Sequence, residues 1–292
     1  MSTDLSQFHH AINAWPEHPE PALTDEQVAQ YWEQGFLIGI PVLSEKEVDA
    51  IHRDLDEISD PAHQGHEFWY EYHSEFSKTG GMLHGTGGWR VRDSLHDLIW
   101  HPKLTSAFRQ LLGGPGRFLH DQLFFKPPRQ SGSVSWHQDY SYWTYTQPMN
   151  HVTCWIALDD ADLSNGCVQY VPGSHKWGVL PRPSSFTQHQ NSLVDKLTEQ
   201  QKEAFKPVPA EVKKGSVLFH HPLTIHGSLP NTSDRPRRGT TIHVMADGTR
   251  AMVEEPTVDG VPAWLVGGGG PFYPLVDEPA GPVLDGQFFP LL

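Results

Sequence analysis

Ser135-Trp136-His137-Gln138-Asp139-Tyr140 is the segment from which the rest of the chain is best read. Side chains of a β-strand alternate between its two faces, so His137 and Asp139 share a face and Gln138 takes the other. An imidazole nitrogen beside a carboxylate oxygen supplies two ligands to a borderline metal ion, and a third must come from elsewhere. Two such residues two apart also arise by chance, so the surroundings decide. From Gly116 to Gly248 short apolar runs are separated by Gly, Pro, Asn and Asp, and residues 117–126, 151–158, 168–171, 216–220 and 239–246 read as strands. Strands this short and this frequent predict a mainly β double-sheet barrel or jelly roll, with helices packed outside it.

Those helices lie upstream. Thr24 and Gln27 form a capping box ahead of Val28, Tyr31 and Trp32, and Gly35 stops that helix before a strand over 36–42. Ser44 and Glu47 repeat the signature before Val48, Ile51, Leu55 and Ile58, a second helix ending near Ser59. A third covers 102–112 and closes at Gly113-Gly114. No repeat and no long linker divides the chain. The expectation is one domain over 1–292: a helical part near 24–115, a barrel core near 116–250 and a loop-like tail over 251–292. Residues 1–22 wrap the surface, and the polar stretch 184–205 carries a helical insertion at 198–204. The aromatic tail lies over the domain or over a partner subunit, which leaves a homo-oligomer open.

The 292 residues carry 21 Lys+Arg against 35 Asp+Glu, and this net charge of −14 offers no basic face to nucleic acid or an anionic membrane. With 37% hydrophobic and 11% aromatic residues the chain can bury a large core, so wholesale disorder is excluded. It has no apolar run of membrane-spanning length and no visible export signal, so a cytoplasmic location is expected. Cys154 and Cys167 make no disulfide framework and are expected as free thiols. The unusual count is 19 histidines.

His226, in Thr224-Ile-His-Gly-Ser228, is the best third donor. Two histidines and one carboxylate on one face leave three coordination positions open, as a non-haem Fe(II) centre needs for a bidentate co-substrate and dioxygen. A dicarboxylate bound end-on needs a cation at its far end. Arginine presents a fork matched to a carboxylate, and Arg235, Arg237 and Arg238 all follow Ser228. Alternation separates Arg238 from Arg235 and Arg237, and does not choose between the latter two.

Six segments in order make a resemblance: Phe125-Lys-Pro-Pro128, Trp136-His-Gln-Asp139, Cys154-Trp-Ile-Ala-Leu158, Ser164-Asn-Gly-Cys167, Val171-Pro-Gly-Ser-His175 and His221-Pro-Leu-Thr-Ile-His-Gly-Ser228, with Asn231 and Arg237 after them. The chain resembles the phytanoyl-CoA dioxygenase family of Fe(II)/2-oxoglutarate oxygenases over roughly residues 24–250. The resemblance implies a double-stranded β-helix (cupin-like) with His137, Asp139 and His226 as iron ligands. It also implies Arg237 with Ser228 on the far carboxylate of 2-oxoglutarate, and Lys126 and Trp155 lining that pocket. Fe(II), 2-oxoglutarate and O2 follow, as does hydroxylation of an unactivated C–H bond of a small-molecule metabolite with release of succinate and carbon dioxide. Related halogenases replace the carboxylate ligand by a small residue, so Asp139 favours hydroxylation. A non-oxidative cupin-like isomerase or binding module is the competing class, and it would not need Ser228 and Arg237. A catalytically silent member is a third, against which the intact triad speaks.

Other residues have plainer explanations beside functional ones. Tyr140, Tyr142, Trp143 and Tyr145 are rim packing or, as a run of four favours, the wall of the substrate pocket. Lys126 ends a strand, where a surface position is expected unless the family's pocket claims it. Trp155 suits core packing. His220 and His221 read as buried rings donating to backbone carbonyls, with His221 the candidate to support the metal ligands. His243 packs or lines the cavity. His175 and Asn165-Gly166 belong to turns, His9-His10 to solvent, and Arg90 and Arg92 to the surface or the substrate.

Overall fold

Helix α1 (Asp25–Gln34) begins on the expected capping box, with Thr24 and Gln27 exchanging side-chain and backbone bonds. It ends at Gly35, whose φ of 90° suits glycine. A Cβ there would collide with Thr224 Oγ1 and His175 Nδ1, so only glycine lets the helix end seat against the loop leading to His226. The computed structural model describes residues 20–58, 70–72, 82–90, 92–129, 131–144, 146–183, 190–251, 257–258, 261–262, 283–284 and 289–292. His9-His10, Tyr145, most of the tail and the side chain of Arg90 lie outside the described residues.

Helix α2 (Glu45–Ile58) starts where Glu47 accepts the Ser44 N–H at 2.7 Å. Helix α3 (Asp93–Leu98) was not expected, because six residues are too short to show a helical stripe. Helix α4 (Pro102–Leu112) has Pro at its start and Gly113 in the left-handed region at its end. Helix α5 (Glu199–Ala204) is the insertion capped by Thr198.

Up to residue 246 the strands are β1 (Phe36–Pro41), β2 (Tyr70–Tyr72), β3 (Leu83–Thr86), β4 (Gly116–Lys126), β5 (Val134–His137), β6 (Thr146–Gln147), β7 (His151–Ala157), β8 (Val168–Tyr170), β9 (Val208–Pro209), β10 (Ser216–His220), β11 (His226–Ser228) and β12 (Arg237–Ala246). Seven form an antiparallel sheet in the order β1-β10-β7-β12-β4-β3-β2, and four form a second sheet, β5-β11-β8-β9. This is the double-stranded β-helix. Its decisive second-sheet strands β5 and β11, of four and three residues, are too short to stand out in the sequence.

Alternation on the large sheet separates a core from a site. Val152, Cys154 and Ile156 of β7, Val217 and Phe219 of β10, and Ile242 and Val244 of β12 join Leu104, Phe108 and Leu111 of α4 in one apolar cluster. The helical part and the barrel thus share a core, in which truncation of a fully buried ring such as Phe108 costs about 3–5 kcal/mol. The other face carries Thr153, Trp155, His220, Arg237, Gly239, Thr241 and His243. Leu284 and Phe289 of the tail pack with Leu119, Tyr140 and Trp143, placing this part of the tail over the domain.

Candidate metal and co-substrate site

Strand β5 stops at His137, Gln138 stays extended (φ −112°, ψ 133°), and Asp139 opens a 3-10 turn, Asp139–Tyr142. His137 and Asp139 therefore share a side as alternation demands, with Asp139 just past the strand. Pairing of β11 with β5 sets His226 opposite His137, ring centroids 4.2 Å apart. Ligand atoms of His137, Asp139 and His226 all lie within 4.8 Å of one another, and this trio could hold a metal ion. Both Nε2 atoms are 3.5 Å from Asp139 Oδ1. His137 Nδ1 donates to Ser135 O at 2.7 Å and His226 Nδ1 to Thr224 O at 3.0 Å, which turns both Nε2 lone pairs to the common point. Burial pushes the His226 ring well below its ordinary pKa and keeps it neutral. Burial opposes ionisation of Asp139, but the polar rings around it, His226 first and then His137 and His220, outweigh burial and hold the carboxyl well below the usual range.

The loop before His226 is tied down on both sides. Gly35 O accepts the His221 N–H at 2.9 Å and Thr224 Oγ1–H at 2.7 Å, and Ser174 Oγ accepts the Ile225 N–H at 2.8 Å. Gln138, facing away, donates to Gly178 O at 2.9 Å and Leu223 O at 2.8 Å and accepts the Leu180 N–H at 2.7 Å.

The adjacent histidines correct the sequence expectation. His220, not His221, reaches the trio: its Nε2 is 2.9 Å from Asp139 Oδ2 and its Nδ1 3.0 Å from the Tyr170 hydroxyl. Neither contact is a backbone carbonyl. His221 points to the other side of its strand end, where Nδ1 accepts the Leu223 N–H at 3.1 Å and the ring meets His175 at 5.2 Å. His243 reaches Thr153 Oγ1 at 3.0 Å, and Thr153 donates to Asp139 Oδ2 at 2.6 Å.

A second group lies further along the same strand. Ser228 is two residues beyond His226 on β11, hence on the same face and about 6–7 Å away. Its hydroxyl is buried with no hydrogen-bond partner among the described residues. Arg237 and Lys126 are register partners on β12 and β4, only 2% and 0% exposed. Arg237 donates from Nε and Nη2 to Gly166 O at 3.1 and 2.9 Å and lies 5.2 Å from the Trp155 ring, while Lys126 donates to Leu229 O. Among the described residues no carboxylate pairs with either cation. Burial pushes Arg237 down to about 10, and burial together with Arg237 pushes Lys126 well below its ordinary range. Two buried cations and a buried hydroxyl without a partner among the described residues are donors that could receive an anion such as a carboxylate. Arg235, in the turn before Pro236, pairs with Asp162, and Arg238 forms a two-bond pair with Asp159 at 2.9 and 2.8 Å.

Tyr142 lies against His137 at 5.9 Å between ring centroids and beneath Arg182. Tyr140 and Trp143 are buried in the apolar cluster near the tail; the Tyr140 hydroxyl donates to Thr146 O at 2.7 Å, and Trp143 meets His243 edge-on at 4.8 Å. Arg92 pairs with Glu57, and His175 donates to Trp32 O at 3.0 Å, away from the trio. Sequence reasoning missed Gly166. Its φ of 78° is the turn signal that Asn165-Gly166 carried, but that its carbonyl anchors Arg237 is a tertiary fact.

The phytanoyl-CoA dioxygenase (PhyH) family model matches residues 31–239. The chain belongs to this family. Phytanoyl-CoA dioxygenase domain-containing protein 1 of Danio rerio is 30% identical over 264 residues, covering 76% of this chain and 90% of the relative. Among solved structures, the non-haem alpha-ketoglutarate-dependent carbocyclase SnoK of nogalamycin biosynthesis superimposes with a TM-score of 0.71 at 26% identity, covering 94% of this chain and 99% of SnoK. The epimerase SnoN, solved with Fe3+, alpha-ketoglutarate and nogalamycin RO, shares the fold at a TM-score of 0.68 and 23% identity, over 91% of this chain and 97% of SnoN. This PhyH-family chain is thus a 2-oxoglutarate-dependent non-haem iron oxygenase, with Fe(II), 2-oxoglutarate and O2 as cofactor and co-substrates. No helix of its described residues is long and apolar enough to cross a membrane.

Proposed function

We propose that this oxygenase hydroxylates an unactivated C–H bond of a small-molecule metabolite. In this reading His137, Asp139 and His226 hold Fe(II), and Arg237, Lys126 and Ser228 hold the far carboxylate of 2-oxoglutarate. The observation that carries it is the placing of His226 and Ser228 on one strand face, with buried, uncompensated Arg237 and Lys126 gathered at the Ser228 end. A non-oxidative cupin-like metal site has no use for desolvated cations beside its ligands.

Bound iron would supply the oxidising power by consuming 2-oxoglutarate and O2, one oxygen atom going to succinate with release of carbon dioxide and the other to the substrate. The chain's own residues position and enclose. The Nε2 atoms of His137 and His226, with Asp139 Oδ1, converge on the metal point, while Arg237, Lys126 and Ser228 set where the co-substrate ends. Trp155 shields that end from water. Tyr142, against His137, borders the substrate side, with Tyr140 and Trp143 packed behind it. The reaction needs no general base. Small-molecule chemistry is supported by SnoK, a carbocyclase, and SnoN, solved with nogalamycin RO. Two buried free cysteines fit a reducing, cytoplasmic setting.

The test is a screen of small amino acids, acyl-CoAs and natural-product scaffolds with Fe(II), 2-oxoglutarate and ascorbate. Succinate release coupled to a product heavier by one oxygen atom is expected. Coupled succinate release with a product lacking new oxygen would replace hydroxylation by ring closure or epimerisation. Substrate conversion without succinate would favour the non-oxidative reading.

A further inference from the structure

The Asp139 carboxylate has two oxygens, and the fold treats them differently. Oδ1 faces His137 and His226 Nε2, each at 3.5 Å. Oδ2 faces the large sheet, where Thr153 Oγ1 donates to it at 2.6 Å and His220 Nε2 lies at 2.9 Å. Thr153 and His220 are cross-strand partners on β7 and β10, so the sheet register itself brings both donors to one oxygen.

The tautomer of His220 is determined by its other nitrogen. The Tyr170 hydroxyl, 3.0 Å from Nδ1, has one hydrogen and points it at that lone pair. Nε2 then carries the proton and donates to Asp139; the opposite tautomer would set a lone pair against a carboxylate. Tyr170 is held in place by stacking on Phe36, centroids 4.7 Å apart, and by its register position opposite His226 on β11. The Thr153 hydrogen is spent on Asp139, and its oxygen lies 3.0 Å from His243 Nδ1.

The geometry points to Tyr170 and His220 as positioning residues that, with Thr153, occupy Oδ2 and make Asp139 a one-oxygen metal ligand. The inference rests on the iron site proposed above and adds the reason for its open positions. Three protein ligands giving one atom each leave three places on an octahedral ion. A carboxylate free to turn both oxygens inward would take one of the places needed for 2-oxoglutarate or O2.

Anaerobic titration of the full chain with Co(II), read by its visible absorption, tests this without turnover. His220→Phe is expected to weaken Co(II) binding by about 10–100-fold and to shift the absorption toward a higher coordination number. His220→Gln, which keeps an N–H near the Nε2 position, should recover most of both. Tyr170→Phe keeps the ring and its stacking and should weaken binding about two- to tenfold, the worth of one neutral hydrogen bond. In a His220→Phe background the same change should cost nothing further, because Tyr170 acts through His220. Unchanged Co(II) affinity and absorption in His220→Phe would overturn the inference, as would an equal Tyr170→Phe effect in both backgrounds. Asp139→Ala separates the two levels: if it too retains Co(II), the metal site itself is misassigned, whereas loss there with an intact His220→Phe defeats the clamp alone.

Discussion

Replacing Arg237 by alanine should raise the apparent KM for 2-oxoglutarate by at least about thirtyfold. The guanidinium has five N–H groups, and two are spent on Gly166 O. Three are left, enough for a two-bond fork to a carboxylate. Losing one partner of a buried charged pair costs about 2–5 kcal/mol, which is roughly 30- to several-thousand-fold in affinity. Lys126 remains nearby as a point charge, so the lower part of that range is expected. Succinate formation gives the KM, and protection of the folded protein from melting by 2-oxoglutarate gives an independent affinity. Arg237→Lys should rescue only partly, because an ammonium cannot reproduce the fork. Arg235→Ala and Arg238→Ala should change little, since these side chains pair with Asp162 and Asp159 outside the site. If Arg238→Ala were the crippled variant, the register of β12 would be off by one and every inward position from Gly239 to Ala246 would flip.

Lys126 should make the co-substrate affinity depend on pH: burial and Arg237 lower its pKa in the ligand-free protein, and a bound carboxylate would raise it. The protonated form therefore binds tighter, affinity falls as pH rises above the ligand-free value, and binding in that window takes up a proton. Calorimetry in buffers of different ionisation heat should detect that uptake and find it abolished in Lys126→Met; binding without uptake at any pH up to the ordinary lysine range contradicts the assignment. Gly239→Ala should cost about 1–3 kcal/mol in denaturant unfolding and weaken 2-oxoglutarate binding, because a Cβ there would run into the Trp155 ring under Arg237. An unchanged unfolding midpoint would show that the ring yields freely. Cys154 and Cys167, both buried and free, should resist alkylation in the native protein and both react once unfolded, burial having pushed the Cys167 thiol up to about 11 and Cys154 well above its ordinary value. Mass analysis reads the labels, and a Cys154–Cys167 disulfide would refute the expectation.

Local rules made much of this protein readable from its residues alone. Capping at Thr24 and Ser44 set the starts of two helices, Gly35 and Gly113 set helix ends, and alternation placed His137 and Asp139 on one side. Each follows from interactions within a few residues. The motifs from Phe125 to Ser228 carried the family, and with it the choice of Arg237. What periodicity cannot state is which strand lies beside which. That His226 stands opposite His137 depends on two very short strands meeting from distant parts of the chain. That His220 rather than His221 supports Asp139 depends on how β10 registers against β7, a one-residue choice that alternation leaves undecided until the sheet closes. The burial of Lys126 and the role of the Gly166 carbonyl also wait on the barrel, because a side chain at a strand end is exposed or enclosed only by what folds over it. The sequence by itself determined the chemistry available on each strand; tertiary pairing decided which groups meet, since contact between distant segments is a property of the packed sheets and not of any local stretch.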